Sequence, residues 1–298
     1  MNSPASPAPP RRILAVFNPA AGRTRGAHFA RVVEALRRHG CAVTIMETES
    51  RGHAETIARA ASDETYDVLA AAGGDGTINE IVNGLCGRAL ALGIIPLGTA
   101  NVLAREIGLG RSAEAVARTL AFGPVREIHL GRANGRCFVM MAGIGFDANV
   151  VSRVSLRLKR RLGPLAYIWQ GARQAVTERF EPCHVTIDGT ASSAISVVAC
   201  KGRRYGGPFI AAPGASLNQG QFHVLLMKGQ GWFSVLRYGL ALVFGRVTVW
   251  PDVQLVVGRD IVVSGREGQP VQADGDIVAH LPVHIVIDPS PLRLIYPR

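Results

Sequence analysis

The sequence predicts an α/β domain with a mostly parallel sheet, followed by a second domain of short antiparallel strands. Strand-like and helix-like segments alternate up to about residue 124, and short extended segments separated by Gly and Pro turns follow. Alternation of the first kind is typical of a parallel sheet that helices cover on both faces. The chain has 298 residues, 48% of them hydrophobic, so it has enough apolar material for two folded units.

The first half contains three predicted helices between four predicted strands. In the first helix the apolar residues recur on one side, and Pro or Gly-rich turns end the strands. The predicted strands are Ile13–Phe17, Cys41–Met46, Val68–Ala72 and Leu90–Ile95, and the predicted helices are Arg25–His39, His53–Ala61 and Thr77–Cys86.

The second half predicts a sandwich or a barrel, because many short strands with turn pairs between them are typical of both. A long helix is expected between Val150 and Thr177. We place a disordered tail at residues 1–11, the first domain at 12–130 and the second at 131–298. The predicted strands are Val125–Leu130, Cys137–Met141, Cys183–Ile187, Ile195–Ala199, Phe222–Met227, Val247–Trp250, Gln254–Val257, Asp260–Val263, Val271–Ala273, Val283–Ile287 and Leu292–Tyr296.

The charge balance favours anionic partners. The formal net charge is +11, which suits acidic lipid, polyphosphate or nucleic acid, although it can also serve solubility alone. Aromatic residues make up only 6% and do not interleave with basic residues, so a nucleic-acid partner is not expected.

Cysteine and histidine usage points to a cytoplasmic protein without structural zinc. The five cysteines are scattered with no C-x-x-C pair, which indicates reduced thiols, and the histidines lack ligand spacing. The N-terminus has no apolar stretch typical of a signal peptide, and no apolar run is long enough to cross a membrane.

A glycine-rich turn carries the strongest chemical signal. In the run from Ala70 to Glu80, a strand of small residues ends at Gly73-Gly74-Asp75-Gly76 and a helix begins. Glycines let backbone N–H groups approach a phosphate, and a helix N-terminus favours negative charge. A carboxylate in such a loop would repel phosphate, so Asp75 is a candidate Mg²⁺ partner. The turns Asn18-Pro19-Ala20-Ala21-Gly22 and Pro96–Asn101 should meet it at one sheet edge, which suits a polyphosphate.

These motifs resemble the diacylglycerol kinase and sphingosine kinase superfamily. The matches follow the family order along nearly the whole chain, and GGDGT with its following Asn-Glu and Asn-Gly pairs is the most specific. The matching segments are Asn18-Pro19 with Gly22, Gly73–Gly84, Pro96–Ala104, Gly143–Ala148, Tyr205–Gly207 with Ala212-Pro213, and Asp274–Asp276.

The resemblance implies a nucleotide-binding α/β domain with a mostly parallel sheet, followed by an antiparallel β-sandwich domain that binds lipid. The implied activity is transfer of the ATP γ-phosphoryl group to a lipid hydroxyl, with Mg²⁺. The implied nucleotide contacts are Asn18, Pro19, Ala20, Ala21, Gly22, Thr48, Gly73, Gly74, Asp75, Gly76, Thr77, Ile78, Asn79 and Thr99.

The acidic pair of Asp274-Gly275-Asp276 corresponds to the family's D-G-E motif. Its second carboxylate, Asp276, is the expected proton acceptor for the lipid hydroxyl, and Asp274 would orient the site or help hold metal. An ordinary hairpin turn is the alternative interpretation of these three residues.

The chain departs from the family at three positions. Asp276 is one methylene shorter than the usual Glu, and Val102 replaces a common Asp, which leaves Asp75 and Asp147 as metal candidates. Gln219-Gly220 stands where some bacterial members have Asp-Gly supporting a structural Mg²⁺, so we expect that metal site to be absent.

Two basic clusters favour peripheral binding to an anionic membrane surface. They comprise Arg153, Arg157, Lys159, Arg160 and Arg161, and then Lys201, Arg203 and Arg204. Solvated helix faces are the alternative. The apolar segment Trp232–Val247 is interpreted as an interfacial helix or as a core helix of the second domain.

Two alternatives stay open. An NAD kinase shares the G-G-D-G-T loop and the two-domain plan, and a non-catalytic nucleotide or lipid sensor could keep the fold. Diacylglycerol, monoacylglycerol, sphingoid bases, ceramide and polyprenols are all possible acceptors, and the oligomeric state is not readable from the sequence.

Overall fold

A six-stranded sheet organises the N-terminal part of the chain. The computed structural model describes residues 10–21, 23–145, 148 and 181–298. In this sheet (sheet 1) the order is β2-β1-β3-β4-β20-β5. Its strands are β1 (Arg12–Phe17), β2 (Ala42–Glu47), β3 (Val68–Gly73), β4 (Ala91–Pro96), β5 (Val125–Ile128) and β20 (Leu292–Ile295), and its helices are α1 (Arg23–Arg38), α2 (His53–Ala60), α3 (Asp75–Leu85), α4 (Val102–Glu106) and α5 (Ala113–Phe122).

The central strands of sheet 1 are buried on both faces, whereas the edge strand β2 is largely exposed. Strand β1 pairs in parallel with β2 and β3, and β3 pairs in parallel with β4. Along β1, Ile13 and Ala15 pack in the cluster that contains α1 and α5, whereas Leu14 and Val16 pack in the cluster that contains α2 and α3. This alternation follows from the two-residue period of a strand and confirms the predicted α/β domain.

The C-terminal strand returns to sheet 1. Strand β20 lies between β4 and β5, parallel to the first and antiparallel to the second. The sequence had assigned these residues to the second domain. Arg11, which the expected boundary places in the tail, donates from its guanidinium to the carbonyls of Leu120 and Gly123 at 2.7 Å.

Two antiparallel sheets form the second unit, which confirms the predicted sandwich. Sheet 2 has the order β10-β9-β16-β19-β6-β7, and sheet 3 the order β15-β14-β11-β8-β17-β18. A cluster including Phe138, Ile144, Phe222 and Ile261 fills the core of this unit. The strands are β6 (Gly131–Ala133), β7 (Arg136–Phe138), β8 (Met141–Gly145), β9 (Cys183–Ile187), β10 (Thr190–Ala194), β11 (Ser196–Cys200), β14 (Phe222–Met227), β15 (Val253–Gly258), β16 (Asp260–Ser264), β17 (Pro270–Ala273), β18 (Asp276–His280) and β19 (Val283–Ile287), with a separate pair β12 (Arg204–Gly206) and β13 (Phe209–Ile210).

One long helix of the second unit lies among the described residues. It is α6 (Gly231–Val243), and a 3-10 turn at Val247–Val249 follows where the sequence predicted a strand. The predicted helix between Val150 and Thr177 lies outside the described residues. Among the helices that the structure describes, none combines the length and the apolarity needed to cross a bilayer.

Candidate active site

Three turns meet at the carboxyl edge of sheet 1, as the sequence predicts. The Asn18 N–H after β1 donates to the Ala72 carbonyl at 2.9 Å, and the Leu97 N–H after β4 donates to the Gly73 carbonyl at 2.8 Å. These bonds join the turns that follow β1, β3 and β4. The resulting edge contains the N-terminus of α3, and the N-terminus of a helix favours an anion.

Two glycines of these turns are needed because a Cβ atom there would clash with neighbouring atoms. A Cβ on Gly98 would lie 2.6 Å from the Gly74 Cα, and a Cβ on Gly73 would lie 2.3 Å from the Thr77 Oγ1. Gly76 is different, because a Cβ there would meet only the Asp276 Oδ2, at 3.9 Å. Gly76 therefore marks the open side of the turn, opposite a carboxylate of the second unit.

Polar side chains at this edge bridge the turns. The Asn18 Nδ2 donates to the Thr77 Oγ1 at 3.2 Å, and the Asn18 Oδ1 accepts from the Ala20 N–H at 3.0 Å. Thr48 follows β2 at the same edge, where its N–H donates to the Phe17 carbonyl at 2.9 Å. The structure thus brings these predicted residues together, while their contact with a nucleotide stays a prediction.

The other predicted nucleotide residues divide into two groups. Pro19, Ala20 and Ala21 form a 3-10 turn at the edge, whereas the Ile78 side chain is buried in the core, so only its backbone can face a ligand. Gly22 and the metal candidate Asp147 lie outside the described residues.

Asp75 holds the turn after β4. Its Oδ2 accepts from the Asn101 N–H at 2.9 Å, and its Oδ1 accepts from the Val102 N–H at 2.7 Å. Asn101 has a φ of 47°, so the carboxylate stabilises a left-handed residue at the start of α4. Its predicted role as a Mg²⁺ partner remains a prediction, and the structure adds a positioning role for Asp75.

Helix α3 connects the two units through its asparagines. The Asn79 Nδ2 donates to the Asp274 Oδ2 at 3.3 Å. Asn83 bonds both backbone groups of Cys137, accepting from its N–H at 2.9 Å and donating to its carbonyl at 3.0 Å. The motif that carries the glycine turn therefore also fixes the sandwich against α3.

Asp274 organises the segment between β7 and β8. Its carboxylate accepts from the N–H groups of Val139, Met140 and Met141 at 2.7, 2.9 and 3.1 Å. Burial raises the pKa of Asp274, and the hydrogen bonds from these three N–H groups and from Asn79 oppose that rise. Since its oxygens are directed at the protein backbone, Asp274 is a positioning residue.

Asp276 is the carboxylate that faces the open side of the glycine turn. It begins β18, and its side chain is 40% exposed. Its Oδ1 accepts from the Arg51 Nη2 at 3.0 Å. Of the two acidic residues in the predicted motif, Asp276 thus keeps the accessibility that a proton acceptor needs.

Two arginines at the site were missed by the sequence reasoning. Arg51 precedes α2 and pairs with Asp276, and the Arg25 Nη2 on α1 donates to the Thr99 Oγ1 at 3.1 Å. Both place positive charge beside the turns. The only local signal was that Arg51 adjoins Gly52 and that Arg25 follows the Asn18 turn.

A buried lysine lies beneath the loop that contains Gln219. The Lys201 ammonium donates to the carbonyls of Gln219, Ser216 and Gln221, the last two at 3.4 and 3.3 Å. Burial lowers the pKa of Lys201 to about 8. The predicted absence of a structural Mg²⁺ stays a prediction, and the ammonium supplies a positive charge to these carbonyls.

Replacing Lys201 with methionine should destabilise the fold by about 3 kcal/mol, because three carbonyls lose the donor that they share. In the folded state Lys201 loses its proton near pH 8, whereas a lysine in the unfolded chain loses it near pH 10.4. Between these two pH values the unfolded state therefore binds more protons than the folded state. The advantage of the wild type over K201M should therefore grow with pH in that window. Urea unfolding checks this, with exposed Lys228→Met as the control; equal stabilities would contradict it.

The basic cluster around Lys201 differs from the prediction. Lys201 is fully buried, and the Arg203 Nε pairs with the Glu106 Oε1 at 3.1 Å. Lys201 is therefore not available to a lipid surface, whereas the Arg203 side chain is 48% exposed and the membrane role of this cluster stays a prediction. The other predicted cluster, Arg153–Arg161, lies outside the described residues.

Comparison with known proteins finds relatives over most of the chain. The diacylglycerol kinase catalytic domain matches residues 12–133, and the YegS C-terminal NAD kinase beta sandwich-like domain matches residues 140–296. A diacylglycerol kinase of Bacillus subtilis is 29% identical over 282 residues, 93% of each chain, and one of Staphylococcus aureus is 26% identical, over 93% of this chain and 89% of that one. A crystal structure of a diacylglycerol kinase from Bacillus anthracis has a TM-score of 0.78 at 24% identity, covering 96% of this chain and 97% of that one, and it shows a shared fold.

Proposed function

The chain belongs to the family that joins a diacylglycerol kinase catalytic domain to a YegS C-terminal domain, and on this basis we propose that it transfers the ATP γ-phosphoryl group to a lipid hydroxyl. The observation that carries the proposal is the position of Asp276. This accessible carboxylate of the second unit faces Gly76 in the glycine turn of the first. A phosphate on the turn and a hydroxyl beside the sandwich would thus share one reaction site.

The turns supply the phosphate side of the proposal. The N-terminus of α3 and the close approach of Gly74 to Gly98 present backbone rather than side chains to a ligand. Arg25 and Arg51 add positive charge at the same edge. These features suit the triphosphate of ATP, whose transferring group is stabilised mainly by positioning and charge.

Asp276 supplies the acceptor side. A lipid hydroxyl is a poor nucleophile, and a carboxylate that accepts its proton as the new P–O bond forms lowers the barrier. Arg51 holds this carboxylate in position before substrate binds. Mg²⁺, which the family implies, would when bound neutralise phosphate charge, with Asp75 and Asp147 as its predicted protein ligands.

A transfer assay tests the function. Purified protein receives ATP labelled in the γ-phosphate, Mg²⁺ and a panel of lipid alcohols in mixed micelles, with NAD in a parallel tube. We expect label in one lipid class, which also identifies the acceptor. Label in NAD alone would support the NAD kinase alternative, and ATP binding without any transfer would support a sensor.

An apolar face on α6 supports contact with a lipid surface. The exposed side chains of Phe233, Leu240 and Phe244 line a groove of about 880 Å³ together with Val249 and Trp250. Phe244 and Val249 are each 73% exposed. Such a patch is unfavourable in water, and we assign it to the surface of an anionic bilayer because Arg246 borders it and the chain carries a net charge of +11.

Replacing both Phe233 and Phe244 with serine should weaken binding to anionic vesicles by at least tenfold. Burial of two aromatic rings in the bilayer contributes several kcal/mol, and a loss of about 1.4 kcal/mol already corresponds to a tenfold weaker affinity. Co-sedimentation with phosphatidylglycerol vesicles measures this, and activity on a micellar acceptor reports whether the site is intact. Phe122→Ser, which changes an exposed ring on α5 of the first unit, is the control. Equal binding of F233S/F244S and wild type would overturn the assignment.

A further inference from the structure

Two cysteines from different units meet beside the ion pair that Arg132 forms with the buried Asp288. Cys86 follows the last turn of α3, and Cys137 lies in β7. The Sγ atoms of the two cysteines and one carboxylate oxygen of Asp288 all lie within 4.8 Å of one another. The Asp288 Oδ2 is 3.6 Å from both sulfur atoms, and the Arg132 Nη2 is 3.5 Å from the Cys86 Sγ.

The backbone holds the two sulfur atoms in place. Asn83 lies on α3, one turn before Cys86. Its side-chain amide forms hydrogen bonds with both the N–H and the carbonyl of Cys137. Asp288 is fixed in turn, because its Oδ1 accepts from the Ser290 N–H at 2.9 Å. The proximity of the thiols is therefore determined by backbone contacts and not by flexible side chains alone.

The chemistry of the two thiols differs. The hydrogen bond from Cys137 lowers the pKa of Cys86, and the positive charge of Arg132 acts in the same direction. The hydrogen bond with Cys86, followed by burial, raises the pKa of Cys137. Cys86 is half-buried and Cys137 is buried, so an oxidant reaches Cys86 first.

We propose that Cys86 and Cys137 form a reversible dithiol–disulfide pair that covalently links α3 to β7. The Cys86 thiolate attacks a peroxide oxygen, which breaks the O–O bond and gives a sulfenic acid and, after protonation, water. The Cys137 sulfur then attacks the Cys86 sulfur, the S–S bond forms, and the hydroxyl leaves with the Cys137 proton as a second water. Hydrogen peroxide is reduced to two waters, and a dithiol reductant reverses the reaction.

The ion pair argues against a metal at the same place. The Arg132 Nε donates to the Asp288 Oδ2 at 2.6 Å, and this is the oxygen that faces both sulfur atoms. A metal ion would have to displace the guanidinium and to deprotonate both thiols. The hydrogen bond from Cys137 and the charge of Arg132 lower the pKa of the Cys86 thiol against the opposing effects of burial and Asp288, so redox chemistry fits the group better.

The test uses the full-length protein, independent of its kinase activity. After one equivalent of hydrogen peroxide, the wild type should lose two of its five thiols on titration in denaturant, and dithiothreitol should restore them. Peptide mapping should find Cys86 joined to Cys137. In the Cys137→Ser variant the oxidation should stop at a sulfenic acid on Cys86, which dimedone traps. In the Cys86→Ser variant Cys137 should stay reduced. The Cys200→Ser variant is the control and should still form the cross-link.

Three results would overturn the proposal. They are five thiols remaining after peroxide, a cross-link between another pair of cysteines, or one equivalent of Zn²⁺ retained after dialysis with both thiols protected from alkylation. The wild-type measurement decides the matter even where a variant fails to fold.

Discussion

Replacing Asp276 with alanine is expected to lower the kcat of lipid phosphorylation by about 10²- to 10⁴-fold, the range that a general base contributes. The affinity for ATP should not fall, because the Asp276 carboxylate faces the open side of the glycine turn. Among the described residues its hydrogen bond is with Arg51 and not with that turn. Loss of Asp276 also frees Arg51 for a phosphate. The effect therefore falls on kcat and not on the nucleotide affinity.

Steady-state kinetics and ATP titration of D276A measure the two quantities separately. Asp276→Glu should keep much of the activity, because it restores a carboxylate that is one methylene longer. Asp260→Asn is the control for removal of an exposed aspartate in sheet 2. A kcat for D276A within threefold of the wild type would exclude Asp276 as the proton acceptor.

Replacing Asp274 with asparagine is expected to reduce the free energy of unfolding by about 3 kcal/mol, because hydrogen bonds to a charged group contribute about 1.5–3 kcal/mol each and several are weakened together. Three backbone N–H groups and Asn79 direct their hydrogens at this carboxylate. An amide nitrogen in place of one oxygen would face N–H donors. Activity should also fall, since Asn79 on α3 loses its partner.

Asp188 provides a matched control for this measurement. It also precedes a glycine, has a φ of 47° against 49° for Asp274, and accepts from the backbone N–H groups of Arg259 and Asp260. However, Asp188 is exposed, so water can replace its bonds, and Asp188→Asn should cost about 1 kcal/mol or less. Equal losses in urea unfolding for D274N and D188N would show that burial of Asp274 has no special role.

The sequence left two interpretations of Asp274-Gly275-Asp276 open, a catalytic acidic pair and an ordinary hairpin turn. The structure shows that these residues do form a hairpin turn. Asp274 and Gly275 both have positive φ and join β17 to β18 in a two-residue turn. The same turn places Asp274 under the backbone of residues 139–141 and leaves Asp276 exposed. A structural turn and a candidate catalytic pair are therefore compatible here.

The sequence by itself determined the features that local physics controls. The alternation of strands and helices in the first half, the glycine turn after β3 and the short strands of the sandwich follow from side-chain size and backbone freedom over a few residues. The convergence of the turns after β1, β3 and β4 also followed, because parallel strands end at one edge.

Only the tertiary structure decided how the two units meet. The Asn79–Asp274 bond spans 195 positions and the Arg51–Asp276 bond spans 225, while β20 crosses back to sheet 1 from the end of the chain. The proximity of Cys86 to Cys137 depends on the same packing of α3 against β7. These partners are selected by burial and by the need to pair buried polar groups, which no local sequence pattern records.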